Sequence, residues 1–126
     1  MKLLLDTRSF LYWTCKDIRL PKRALDAVAD PGNDVLVSAV TAWEVALKRA
    51  KGRLMTSFDS VAAECARRGF ALLPVAPAHA ERAVALPAHH ADPFDRLILA
   101  QAEIERAVLV AGDKAFAAYG LPLLWR

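Results

Sequence analysis

The sequence predicts an α/β fold, a parallel central sheet wrapped by helices, and three observations carry that prediction. Short apolar runs alternate along the chain with stretches of helical period, the pattern of strands joined by crossover helices. Lys2–Asp6 (KLLLD) is a continuous apolar run closed by an acid, as expected of a central parallel strand buried on both faces. No low-complexity segment or internal repeat interrupts the alternation. A chain of 126 residues with 56% apolar and 25% charged residues can bury roughly two-thirds of its unfolded surface, enough for one core, so a single domain over 1–126 is expected.

After the first strand a helix is expected through Leu11–Cys15. Pro21 stands where the first turn of a second helix tolerates it, and Asp30–Pro31–Gly32 stops that helix. Val35–Ser38 reads as the second strand and Val40–Lys51 as an amphipathic helix ended by Gly52. A further helix is expected from about Ser57 to Arg68, closed by Gly69, followed by a strand at Phe70–Val75. Pro77–Leu86 reads as a short helix. Asp92–Pro93–Phe94–Asp95 opens the clearest helix of the chain, in which Leu97, Ile98, Gln101, Ile104 and Glu105 form an apolar stripe with a polar edge. Val108–Ala111 is another strand, Asp113 opens a short helix stopped by Gly120, and Leu121–Trp125 is a last edge strand.

Bulk properties exclude several classes. No run reaches the roughly 18 apolar residues of a membrane span, and Asp6 interrupts any N-terminal signal-like segment, so a cytoplasmic protein with no membrane partner is expected. Cys15 and Cys65 lie far apart and form no CxxC pair, so both read as ordinary buried thiols. The net charge of +3, from 17 basic and 14 acidic residues, favours a polyanionic partner only weakly. Lys48, Arg49, Lys51, Arg53, Arg67 and Arg68 are the denser basic positions, at helix ends where they also complement the dipole.

The placement of the acids is the main chemical clue. Asp6 ends the first strand, Asp113 follows the strand Val108–Ala111, Glu44 lies early in the helix after Val35–Ser38, and Asp95 lies in the first turn of its helix. In a doubly wound sheet these positions share one rim, the edge where ligands bind. At about 5 Å and an effective dielectric near 20, each carboxylate pair repels by roughly 3 kcal/mol, so the cluster needs protons, basic partners or a metal ion. Oxygen ligands without a His/Cys set favour Mg²⁺ or Mn²⁺, and phosphodiester hydrolysis by metal-activated water suits such a site. Each acid also has a local role open to it. Asp92 is placed to cap its helix with Pro93 at the first helical position, Thr41–Glu44 matches a capping box, Glu44 can pair with Lys48, and Asp113 can cap its own helix. An acid closing a buried strand, as Asp6 does, has no routine packing role. A phosphotransfer receiver, which needs adjacent acids after the first strand, and a dehalogenase-like phosphatase, which needs DxD, are both disfavoured by Asp6–Thr7–Arg8.

LLLDT at Leu3–Thr7, VSAVTAWEVALK at Val37–Lys48, HHADPFDRLILAQA at His89–Ala102 and LVAGDKAF at Leu109–Phe116 together resemble the VapC-like PIN-domain toxins of type II toxin–antitoxin pairs. The similarity spans nearly the whole chain, and DPFDRL is its most specific part. The resemblance implies a PIN-like (Rossmann-like three-layer) fold and a Mg²⁺-dependent endoribonuclease, with Mn²⁺ as an alternative ion, whose RNA substrates include structured RNAs such as tRNA. It also implies a homodimer inhibited by a cognate antitoxin lying in an apolar groove. By position, Asp6, Glu44 and Asp95 would hold the metal and orient the attacking water, with Asp113 as the fourth acid. Ser38 would be a small polar residue near the substrate, and Asp92 a cap or supporting residue. Two positions depart from the family pattern: Arg8 stands where relatives often have His, and Ala111 where they have Ser or Thr. The guanidinium of Arg8 is then a candidate substrate contact, and Asp113 loses a hydroxyl that could orient it. The alternatives are a silent PIN-like module that binds RNA or protein, and a DNA nuclease using the same acids.

His89 and His90 suggest zinc or a general base, but the resemblance assigns the site to carboxylates, which leaves them a loop role. Tyr12, Trp13 and Trp43 could stack on bases for about 1–3 kcal/mol each, although their helical positions favour core or interface packing.

Overall fold

The computed structural model describes residues 1–126. Five strands, β1 (Lys2–Leu5), β2 (Asp34–Ser38), β3 (Ala71–Leu73), β4 (Val108–Val110) and β5 (Leu123–Leu124), form one parallel sheet in the order β3-β2-β1-β4-β5. Six α-helices cover it: α1 (Thr7–Thr14), α2 (Lys22–Ala29), α3 (Ala39–Ala50), α4 (Val61–Arg68), α5 (Pro77–Ala85) and α6 (Pro93–Glu105). A 3₁₀ helix spans Lys114–Tyr119. No helix is long and apolar enough to cross a membrane.

β1 is central because all three of its leucines are fully buried, and their alternation serves both faces. Leu3 and Leu5 point into a core with Phe10, Ala24, Val45 and Cys65, whereas Leu4 meets Ile98, Leu99, Leu109 and Phe116 on the other side. Fully burying one such side chain is worth about 1.5–3 kcal/mol, so β1 anchors both layers. Leu5 pairs with Val37 of β2 and Val110 of β4, which brings the three strand ends level. The chain steps from β1 out to β3, then returns to β4 on the opposite side of β1. Strand order therefore reverses between β1 and β4, and the crevice at their carboxyl ends is the switch point.

Several expected boundaries move, each for a local reason. α1 begins at Thr7 rather than Leu11, because Asp6 caps it by accepting a 2.8 Å hydrogen bond from the Ser9 N–H through Oδ1. α3 is capped by Ser38, whose Oγ accepts from Val40 N at 3.0 Å, and not by Thr41, which lies inside the helix. α4 starts at Val61 instead of Ser57 because Ser60 supplies the cap, accepting from Ala63 N at 3.0 Å. Cys65 is buried as expected, but Cys15 is exposed, since it stands at the C-terminal end of α1 where the chain turns into solvent. Gly112, between β4 and Asp113, lies under the Trp125 ring, and a Cβ there would meet Trp125 Cε2 at 2.5 Å.

Candidate functional site

A cavity of about 220 Å³ opens at the switch point and is lined by Asp6, Glu44, Asp92, Asp95 and Asp113, with Thr7, Arg8, Ser9 and Lys48 among their neighbours. The four acids singled out from the sequence thus line one cleft, each brought by a different element.

The segment Asp6–Ser9 shows how the sequence builds one wall. Asp6 ends β1 and caps α1. Thr7 shares a buried 2.9 Å hydroxyl–hydroxyl hydrogen bond with Thr41 of α3, which references Asp6 to the helix carrying Glu44. Ser9 Oγ donates to the Val110 carbonyl at 2.8 Å and ties the same turn to the end of β4. Arg8, between these inward residues, is exposed on the rim and forms no ion pair. Across the cleft, Asp92 caps α6 by accepting from Phe94 N at 2.9 Å, Pro93 occupies the first helical position, and Asp95 follows in the first turn. Asp113 divides its two oxygens: Oδ1 accepts from Ala115 N at 2.9 Å and caps the 3₁₀ helix, while Oδ2 faces the cleft.

The residue that sequence reasoning set aside is His90. It does sit in a loop, but its Nε2 lies 3.0 Å from Asp95 Oδ2 and 3.1 Å from Asp113 Oδ2, so it belongs to the site. Its Nδ1 accepts from Asp92 N at 3.1 Å, and its ring packs on Phe116 at 5.6 Å. Arg96, the arginine of DPFDR, holds the loop by donating to the carbonyls of Val84, Leu86, Pro87 and His90. The available sequence signal was the two-residue step from His90 to a capping aspartate. His89, by contrast, is exposed and meets only the edge of Tyr119.

Electrostatics at the site follow from burial. The Asp6 carboxyl is raised chiefly by desolvation and further by Asp113, against the hydrogen bonds from Ser9 and the charge of Arg8. Asp95 is pushed up to about 7, first by burial and then by the charges of Asp92 and Asp6, with His90 opposing. Asp113 moves the other way, held down first by the Ala115 N–H and also by His90 and Arg8. Glu44 pairs through Oε2 with Lys48 Nζ at 2.8 Å, while its Oε1 is buried without a hydrogen-bond partner. A buried carboxylate oxygen left unpaired carries the full cost of desolvation. That orphaned oxygen, together with two carboxyls raised by burial and by neighbouring acids, fits a hard divalent cation held by oxygen donors. Donor atoms of His90, Asp95 and Asp113 lie within 4.8 Å of one another, and Asp6 and Glu44 line the same cleft.

Two expectations change. Ser38 has no exposed surface, its hydroxyl caps α3, and it is not among the residues lining the cleft, so the structure does not present it to a substrate. Trp43 is 58% exposed and meets Phe94 edge-on at 4.9 Å, so of the core or interface packing expected for it the core part is ruled out. Tyr12 and Trp13 are half-buried, against Trp125 and Phe70 respectively.

Compared with known proteins, the chain matches the PIN domain family over residues 3–121. No curated protein sequence matches it. Among solved structures it resembles VapBC2 of Rickettsia felis bound to a DNA fragment from their promoter, at 16% identity and TM-score 0.66, covering 98% of this chain and 97% of that one. It also resembles a toxin–antitoxin complex of Klebsiella pneumoniae, at 23% identity and TM-score 0.61, over 91% and 90% of the two chains. FitAcB of Neisseria gonorrhoeae is similar at 20% identity and TM-score 0.62, over 96% and 95%. At these identities the likeness is one of fold.

Proposed function

This chain belongs to the PIN-domain family, and from that membership we propose that it is the toxin of a VapC-type toxin–antitoxin pair, a Mg²⁺-dependent endoribonuclease acting in the cytoplasm. PIN domains are in general nucleases that use divalent metal ions. The observation that carries the finer reading is the convergence of Asp6, Glu44, Asp95 and Asp113 on one cleft, with Glu44 Oε1 buried and unpaired. A divalent cation there would supply Lewis-acid charge to a phosphoryl oxygen and lower the pKa of water. Oxygen donors support Mg²⁺ or Mn²⁺ over softer ions.

The chain's own residues supply the rest. Asp6 and Asp113 are fixed by their helix caps, and Thr7–Thr41 sets Glu44 against Asp6. Lys48 neutralises one oxygen of Glu44, and the other is buried without a partner. Arg8, unpaired on the rim, offers a bidentate donor to a phosphate of the RNA. The inhibitory partner we propose is an antitoxin segment in a second cavity, of about 420 Å³, lined by Tyr12, Trp13, Ile18, Leu20 and Leu25. Ile18 is 98% exposed, and Trp13 Nε1 is buried without a partner.

Incubating purified protein with labelled RNA and DNA in Mg²⁺, and separately in a chelator, tests this reading. RNA is expected to be cut only with metal, and Asp6→Asn and Asp95→Asn are expected to abolish cutting while circular dichroism stays unchanged. Cutting retained in both variants would overturn the site. DNA cleavage without RNA cleavage would overturn the substrate.

A further inference from the structure

A neutral imidazole has one donor nitrogen and one acceptor nitrogen, and the hydrogen bond at one decides the other. Nδ1 of His90 accepts the backbone N–H of Asp92 at 3.1 Å, so its lone pair is engaged and the proton lies on Nε2. That Nε2–H donates to Asp113 Oδ2 at 3.1 Å, and Asp95 Oδ2 lies 3.0 Å from the same nitrogen without a hydrogen bond to it. The two carboxylates come from unconnected places, the first turn of α6 and the cap of the 3₁₀ helix after β4, and like charges so placed would otherwise separate. The ring cannot readily swing away. It lies on Phe116 at 5.6 Å, and the His90 carbonyl is one of four loop carbonyls held by Arg96.

We propose that His90 is a positioning residue of the metal site, whose Nε2–H fixes Asp113 at ligand spacing from Asp95 so that a divalent cation meets an assembled pair of carboxylates. The inference rests on the metal-dependent reading above. A metal ligand would need a lone pair on Nε2, which the bond at Nδ1 denies, so His90 acts through Asp113 and its spacing from Asp95. When a binding-competent arrangement is only partly populated, apparent affinity falls by that fraction. Residues that support metal ligands typically change affinity about 10- to 100-fold.

Mn²⁺ titrated by calorimetry into the wild type, Asp6→Asn, His90→Phe and His90→Gln provides the test, with pulsed electron paramagnetic resonance on the Mn²⁺-loaded wild type. Phenylalanine keeps a ring on Phe116 and removes the donor, whereas the glutamine amide restores an N–H. His90→Phe is expected to weaken Mn²⁺ binding about 10-fold or more, His90→Gln to recover most of the loss, and the wild type to show no directly coordinated nitrogen. Should His90→Phe not fold, Arg96→Gln releases the loop without altering the ring, and weaker Mn²⁺ binding is again expected. Wild-type affinity in the folded variant used, a glutamine variant as weak as the phenylalanine one, or a coordinated nitrogen would each overturn the inference. If Asp6→Asn loses Mn²⁺ while His90→Phe keeps it, the metal site stands and only the role of His90 fails. A wild type that binds no Mn²⁺ overturns both.

Discussion

Asp95 concentrates the electrostatic cost of the site in one group. Its carboxyl rises from 3.8 to about 7 in the folded chain, so between those values the folded state holds a proton that the unfolded state has lost. Stability contributed by this group therefore falls as pH rises from about 4 to 7 and stays low above that. Asp95→Asn is expected to raise the stability of the metal-free protein at pH 8 by on the order of 1–3 kcal/mol, and to leave it little changed near pH 4. Thermal melts in chelator at the two pH values check this, and an equal gain at both would contradict the assignment. Arg8 is the other residue whose contribution can be isolated. With no ion pair to break, Arg8→Gln is expected to raise KM for RNA and reduce the salt dependence of binding by roughly one phosphate contact. The Mg²⁺ concentration giving half-maximal rate should not move. Normal cleavage at markedly lower Mg²⁺ would show instead that Arg8 competes with the ion for Asp6.

At the scale of elements, the links between helices set the site's geometry, and the buried Thr7–Thr41 bond is the clearest of them. Thr41→Val keeps the shape but leaves the Thr7 hydroxyl unpaired in the core, at a cost of about 1–3 kcal/mol. It should also lower kcat by letting α3, and with it Glu44, shift against Asp6. Chemical denaturation and steady-state kinetics on the same variant test both effects, and a stability loss with unchanged kcat would mean that the bond serves the fold alone. Such links explain which features were legible in the sequence. Helix ends marked by glycine were readable because a left-handed residue is needed there, as at Gly69 with φ +75°. Helix starts were less so, since Ser57 and Ser60, or Ser38 and Thr41, are chemically equivalent caps and only tertiary packing chooses between them. Asp6 was read as an acid without a structural task, yet it caps α1. His90 was passed over because its partners, Asp95 and Asp113, meet only after the chain has folded.

For the whole molecule, the strand pattern and the shared rim of the four acids followed from local rules, since a buried apolar run closed by Asp6 reads the same in any parallel sheet. The order β3-β2-β1-β4-β5 did not, because nothing in one strand states which neighbour it will take. That order sets α1 beside β1, and with α2 and α4 it leaves the apolar cleft of Tyr12, Trp13, Ile18 and Leu25 on the outer surface. With 56% apolar residues in a chain this short, an uncovered apolar cleft calls for a partner rather than for solvent. The purified chain is expected to be at least a dimer, and to co-purify with a small antitoxin when the neighbouring reading frame is co-expressed. Ile18→Asp places a charge in the proposed contact without touching the carboxylate cleft. It should weaken capture of the antitoxin by tenfold or more, about 1.4 kcal/mol, while leaving RNA cleavage by the free toxin unchanged. Light scattering of the free chain together with pull-down of the co-expressed pair measures both. A monomer at tens of micromolar would remove the dimer, and undiminished capture by Ile18→Asp would move the antitoxin to another face.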